Sequence, residues 1–149
     1  MPLGAPAKLS DEQIAYYLGT MCPEADMAFR FAFALYLAND AAFEAVQSAY
    51  RVAITKIESY QKNDDDLFSL RRYLMKTVWE EYNNKKASTP PSSPVTQKLS
   101  KIDTEMRGIM VSVDVCGLKP KEALQIFGVD ESSFREKLAS ARNQLIELA

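Results

Sequence analysis

Histidine is absent from this 149-residue sequence, and cysteine occurs only at Cys22 and Cys116. Without histidine the chain lacks the commonest acid–base group and metal ligand. The two cysteines lie far apart and match no metal-binding spacing, which favours small apolar residues in a reducing compartment. The sequence also has no Gly-rich phosphate loop and no nucleophile elbow. These absences predict a protein that is not an enzyme and that holds no metal or cofactor.

Long apolar runs are also missing. The strongest, "MAFRFAFALYLA" from Met27 to Ala38, contains Arg30 and is too short to span a bilayer. The start "MPLGAPAK" has no basic segment followed by an apolar run, so no signal peptide is visible. We therefore expect a cytoplasmic protein without membrane insertion. The acidic run Asp64 to Asp66 lacks the alternating spacing and closing glutamate of a calcium loop, and it predicts a solvated turn and helix cap.

The net charge of the chain gives only a weak indication of whether it binds nucleic acid. The formal net charge is -2 and the pI is about 5.3, which argues against indiscriminate nucleic-acid binding but leaves room for a local basic face. An apolar fraction of 47% is enough for a core without disulfide bonds or metal ions.

Helical periodicity runs through the N-terminal part of the chain, and nothing there alternates like a strand. The fold class is therefore predicted to be all-α. Ser10 begins a first helix as its N-cap. Pro23 interrupts, and an apolar helix then continues to near Asn39. Asp40 caps a third, amphipathic helix, and a fourth covers residues 67–86.

The segment "KKASTPPSSPVTQK" predicts an exposed, semi-extended linker at residues 88–98, because its prolines cannot continue a helix. The linker separates an N-terminal extension (residues 1–26) and a small helical domain (residues 27–87) from a second helical domain (residues 99–149). The second domain starts with a helix that Gly117 closes at the C′ position.

The stretch "LKPKEALQIFGVDESSFREKLASARNQL" predicts a short helix, a tight turn and a longer helix. Pro120 suits a first helical turn, Gly128 allows a positive φ, Val129 fills the corner and Asp130 caps the next helix. This is the pattern of a helix-turn-helix whose second helix reads the major groove. Any corner between two helices needs similar residues, so a purely structural interpretation stays open.

Three groups of residues, in order along the chain, carry a resemblance to a known family. The third helix contributes Glu44, Ala45, Val46, Gln47, Ser48, Tyr50 and Ala53. The fourth helix, "LFSLRRYLMKTVWEEYNNKK", is similar to the family's F-x-x-W-L helix with its basic end. The last two helices contribute Gly117, Leu118, Glu122, Ile126, Gly128, Val129, Phe134, Arg135, Lys137, Leu138, Ala141, Arg142 and Leu145. With the linker in its place, residues from about Met27 to Ala149 resemble an extracytoplasmic-function (ECF) sigma factor, with helical regions 2 and 4 of the sigma-70 family.

This resemblance implies a transcription-initiation protein that binds core RNA polymerase and promoter DNA. The implied polymerase contacts are Glu44, Gln47, Ser48 and Arg51. The implied promoter contacts from the fourth helix are Arg71, Arg72, Lys76, Trp79, Lys85 and Lys86. Those from the last helix are Ser132, Ser133, Arg135, Lys137 and Arg142. Aromatic side chains would stack on bases and cations would meet phosphates. The competing interpretation makes Trp79 a core residue and the basic side chains a solvated face.

Several departures from the family pattern favour a second function. Ser48 stands where a second acid is usual, and Glu136 stands where the family often has a neutral or basic residue. Residues 88–149 hold eight basic and eight acidic side chains, so that part of the chain is neutral. The alternative is a sigma-factor mimic that binds an anti-sigma factor or another protein partner without reading DNA. An unrelated helical adaptor is a third interpretation.

Overall fold

The computed structural model describes residues 8–62, 67–85 and 92–149, and every regular element in them is helical. The helices are α1 (Asp11–Tyr16), α2 (Ala25–Tyr36), α3 (Asn39–Thr55), α4 (Ile57–Lys62), α5 (Leu67–Lys85), α6 (Pro94–Leu99), α7 (Thr104–Asp114), α8 (Pro120–Phe127) and α9 (Glu131–Leu148). The all-α prediction is confirmed. Lys86, the run Asp64 to Asp66 and residues 88–91 of the predicted linker lie outside the described residues.

The N-terminal extension is helical from Asp11 onward. The Ser10 side chain accepts a hydrogen bond from the Gln13 amide, and the Gln13 side chain bonds back to Ser10, which confirms the predicted start of α1. A π-helical turn (Tyr17–Met21) and a 3₁₀ turn (Cys22–Glu24) then lead directly into α2. The regular α-helix is interrupted at Pro23 as predicted, since this proline lies in the first turn of the 3₁₀ segment between α1 and α2, where its missing N–H costs little.

Two boundaries between α2 and α3 differ from the sequence prediction. Helix α2 ends at Tyr36 because Leu37 adopts a left-handed conformation with φ of 54°, so the predicted end near Asn39 is late. Ala38, not Asp40, occupies the N-cap position of α3, and its side chain cannot form a capping hydrogen bond. Asp40 lies inside the first turn, where its charge is favourable beside the positive end of the helix dipole.

The predicted linker at residues 88–98 is partly wrong. Ser93 and Thr96 form a reciprocal cap, and Pro94 takes the first position of α6, so residues 94–98 are helical. A proline at that position begins a helix because its N–H needs no partner there. The following helix, predicted from residue 99, starts at Thr104.

The last two helices have the predicted bounds. Gly128 has a φ of 64° at the end of α8, and Asp130 caps α9 by accepting a hydrogen bond of 2.7 Å from the Ser133 amide. Gly117 has the expected positive φ of 75°, but it lies two residues beyond Val115, the C-cap of α7, and so occupies C″ and not C′.

One hydrophobic core joins residues 8–62 and 67–85, the N-terminal half, to residues 92–149, the C-terminal half. Helix α2 packs on α3, α5 and α7, and α8 packs on α5. The Phe127 ring of the C-terminal half lies 6.0 Å from Phe31 and 4.9 Å from Trp79 of the N-terminal half, centroid to centroid. The division into two domains stays a prediction, and in this structure the two halves are in direct contact.

Gly108 sets how closely these helices approach. A β-carbon added there would lie 3.0 Å from Leu35 Cδ2 and 3.1 Å from Phe127 Cε1. Both neighbours are buried, so they have little room to move. The α7 position that faces the junction between the halves therefore favours glycine, because any side chain there would have to displace Leu35 or Phe127 slightly.

Gly108→Ala is expected to lower the free energy of unfolding by about 1 kcal/mol, because overpacking of about 1–3 kcal/mol exceeds a gain in helix propensity of about 1 kcal/mol. Urea unfolding measures the change. The control is Gly19→Ala, where no atom lies within 4 Å of the added β-carbon. That change is expected to stabilise the protein by up to about 1 kcal/mol. Equal stabilisation by both changes would contradict the close packing at Gly108.

Candidate functional site

The four residues predicted to contact polymerase lie together on the outer surface of α3. Glu44, Gln47 and Arg51 are exposed and Ser48 is half-buried, while the opposite side of the helix is buried in the core. Phe43 fits the apolar spacing of α3, yet its side chain is 58% exposed and adds an aromatic ring to this surface. The surface is therefore accessible, and it is less polar than the sequence pattern indicated.

Arg71, predicted to contact DNA, is occupied within the protein. Its Nε and Nη2 atoms donate to the two carboxylate oxygens of Glu24 at 2.7 and 3.2 Å, and Nη1 donates to the Cys116 carbonyl at 2.6 Å. The hydrogen bond to Glu24 is the main reason why the pKa of Arg71 is raised. In this arrangement Arg71 joins the two halves. All three of its side-chain nitrogens already donate to acceptors within the protein, so they are not available to a phosphate.

Trp79 is also a contact between the halves. Its side chain is only 8% exposed, and it packs on Phe127 and stacks on Tyr82 with centroids 6.1 Å apart. A base could not stack on this ring while the halves are closed. The geometry therefore favours the interpretation of Trp79 as a core residue.

The other cations of α5 have different surroundings. Lys76 is exposed, whereas Lys85 forms an ion pair of 2.9 Å with Glu81 one turn earlier. The Arg72 guanidinium lies 5.1 Å from the centre of the Tyr73 ring, within the range of a cation–π contact. These side chains do not gather into one basic patch with Arg71, which points into the protein.

Each predicted cation of α9 is paired with a carboxylate. Arg135 bonds Glu131 at 2.7 Å, and Arg142 makes two bonds to Asp114 at 2.6 and 3.0 Å. Lys137 is paired with Glu105. Exposed pairs of this kind contribute only about 0.2–1 kcal/mol, so they can be opened. The carboxylates nevertheless cancel the local positive charge that attracts DNA.

The N-terminus of α9, where Ser132 and Ser133 were predicted to hold a phosphate, is partly filled by the protein itself. The Ser133 amide already donates to Asp130. Ser132 is exposed, with Glu131 beside it. Two carboxylates at this helix end oppose the approach of a phosphate.

Arg107, which the sequence analysis did not identify, is a buried cation of α7. Its Nε and Nη2 donate to the Ala34 and Leu35 carbonyls at 2.7 and 3.1 Å, and Nη1 donates to the Ile102 carbonyl. Burial lowers its pKa from the ordinary arginine value. The guanidinium satisfies carbonyls at the end of α2 that have no partner within the helix. Its sequence signal is a lone arginine in the otherwise apolar "MRGIMVSV".

A groove of about 390 Å³ lies between α2 and α7, and both halves line it. Its larger apolar side chains include Phe29, Phe33, Leu37, Met110, Val111 and Val115. Val115 is 43% exposed, so the groove is open to solvent along that side. Sequence reasoning missed this groove because its two walls are far apart along the chain.

No protein-family profile and no curated protein matches the sequence. Among solved structures, the chain is similar to the sigma factor RpoE from Bartonella quintana, which was crystallised in complex with the anti-sigma factor NepR. The TM-score is 0.70 at 16% sequence identity, and the match covers 90% of this chain and 96% of that one. The chain therefore has a sigma-factor-like fold.

Two further features, a cluster of metal ligands and a membrane-spanning helix, are absent from the residues that the structure describes. Residues 8–62, 67–85 and 92–149 contain no group of three or more potential metal ligands. In the same ranges no helix combines the length and apolarity needed to cross a membrane.

Proposed function

We propose that this chain is a sigma-like regulator that binds an anti-sigma-type protein in the groove between α2 and α7. The observation that carries this proposal is the groove itself, an apolar surface to which both halves contribute. A partner that fills it contacts both halves at once, so it binds the closed arrangement in preference to an open one.

The groove suits an amphipathic helix. It has the apolar lining that helix-in-groove complexes use, and its residues Phe29 and Phe33 stand one turn apart on α2. Arg30 lies at the groove in an exposed pair with Asp26 at 3.3 Å, so an acidic side chain of the partner has a cation within reach. The similar sigma factor was crystallised with an anti-sigma factor, which supports a partner of that class here.

The candidate DNA contacts support protein binding over DNA reading. Arg71 and Trp79 are held between the halves, and the cations of α9 face carboxylates of the same chain. DNA binding depends on cations that can replace counterions along the phosphate backbone. A mimic that binds an anti-sigma factor needs the fold and the apolar groove but not those cations.

Val115→Glu is expected to weaken binding of a NepR-type anti-sigma factor by at least about tenfold, because the partner's apolar side chains would bury an unpaired carboxylate. Fluorescence anisotropy of a labelled anti-sigma factor, titrated with the full chain, measures the affinity.

Ile146→Glu is the matched control, since Ile146 is 71% exposed and lies outside the groove. It introduces the same charge and should leave the affinity unchanged. If both variants bind like the parent chain, the groove is not the partner site.

A working sigma factor is the second candidate. The observation that favours it is the accessible surface on α3, where Glu44, Gln47, Ser48 and Arg51 lie together as the resemblance to sigma factors implies for polymerase binding. Opening of the halves would also uncover Arg71 and Trp79. This function requires core polymerase and promoter DNA to stabilise an open arrangement.

Arg135→Ala combined with Arg142→Ala separates the two candidates. The control is Lys56→Ala combined with Lys101→Ala, which removes the same charge from exposed positions elsewhere. If the chain is a mimic, the arginine double change should lower promoter affinity no more than this control does. Gel-shift titration at several salt concentrations measures this. A selective loss of about tenfold or more, with core polymerase binding intact, would support the working sigma factor and contradict the mimic.

A further inference from the structure

The N-terminal extension contains a buried carboxylate that the resemblance to sigma factors does not account for. Glu24 is 6% exposed and lies just before α2, in the N-terminal extension that the resemblance in sequence does not include. Its two carboxylate oxygens accept hydrogen bonds from Nε and Nη2 of Arg71. A carboxylate is rarely buried without such a cation, because desolvation of an unpaired charge is costly.

The third donor of Arg71 reaches the other half of the protein. Nη1 lies 2.6 Å from the Cys116 carbonyl, in the turn that connects α7 to α8. One guanidinium therefore joins the extension, α5 and the C-terminal half. Because the group is planar, fixing two nitrogens on Glu24 also fixes the direction in which Nη1 points.

The turn that precedes Glu24 is fixed to α3. The Tyr50 hydroxyl donates to the Met21 carbonyl at 2.6 Å, and the Tyr17 and Tyr50 rings meet edge to face at 6.2 Å. These contacts tie the π-helical turn to α3, and the 3₁₀ turn that carries Glu24 follows it directly. The carboxylate is thus a fixed acceptor, and it orients Arg71 toward the Cys116 carbonyl.

We infer that the N-terminal extension is a clasp that holds the two halves closed through Glu24, Arg71 and the Cys116 carbonyl. While the clasp is closed, Arg71 is bound to the protein and Trp79 is covered by Phe127. When the halves separate, Arg71 loses its acceptor on the C-terminal half and Trp79 loses its cover. The inference concerns the chain alone, so it does not depend on which partner occupies the α2–α7 groove.

The single tryptophan reports the state of this clasp, because Trp79 is the only one in the chain and packs on the opposite half. Glu24→Gln is expected to increase quenching of Trp79 fluorescence by acrylamide several-fold and to shift the emission to the red. Circular dichroism of the same samples should show unchanged helix content. Glu24→Asp, which keeps the charge but withdraws the carboxylate from Arg71, should give a smaller change in the same direction.

Asp26→Asn is the control. Asp26 lies only two residues from Glu24, and the change breaks an exposed pair with Arg30, so it should leave the quenching of Trp79 unchanged. If acrylamide quenches Trp79 no more in the two Glu24 variants than in the parent chain, the clasp is contradicted. Loss of helix content in parallel with the quenching in both variants would also overturn it, because Glu24 would then hold the fold of the N-terminal half itself.

Discussion

The position of the Phe127 ring is the constraint on which the rest of the structure depends. This ring comes from the C-terminal half and lies between Phe31 and Trp79 of the N-terminal half. Aromatic pairs of this geometry contribute about 0.5–1.5 kcal/mol each beyond the area that they bury. Gly108 leaves room for this ring, since an added β-carbon would lie 3.1 Å from Phe127 Cε1. Arg107 extends the junction with hydrogen bonds to carbonyls of the opposite half.

The closed junction has opposite effects on the candidate surfaces. It creates the groove between α2 and α7, since neither half supplies both walls. At the same time it covers Trp79 and engages Arg71, two residues that the resemblance assigns to promoter DNA. The surface of α3 is unaffected. The proposed protein binding and DNA binding therefore make different demands on the same junction, and in the closed arrangement the groove is accessible whereas Trp79 and Arg71 are not.

Local features of the fold could be predicted from the sequence, and contacts between distant segments could not. The Ser10 cap and the turn at Gly128 and Asp130 depend on neighbouring residues, and both are found as predicted. Pro94 was interpreted as a helix breaker because composition does not show that Ser93 provides a cap before it.

Pairing of charges is the other feature that the sequence pattern did not show. Glu24 and Arg71 are 47 positions apart, and Ala34 and Arg107 are 73 positions apart. Lys137 and Arg142 of α9 have acidic partners on α7, Glu105 and Asp114, which are not apparent from spacing along one helix. The groove was missed for the same reason.

Small-angle X-ray scattering of the full chain in dilute solution tests the closed junction most directly. A closed protein of this length should have a radius of gyration of about 15 Å, independent of protein concentration and salt. A radius well above this value, with the scattering profile of two separate bodies, would contradict the account.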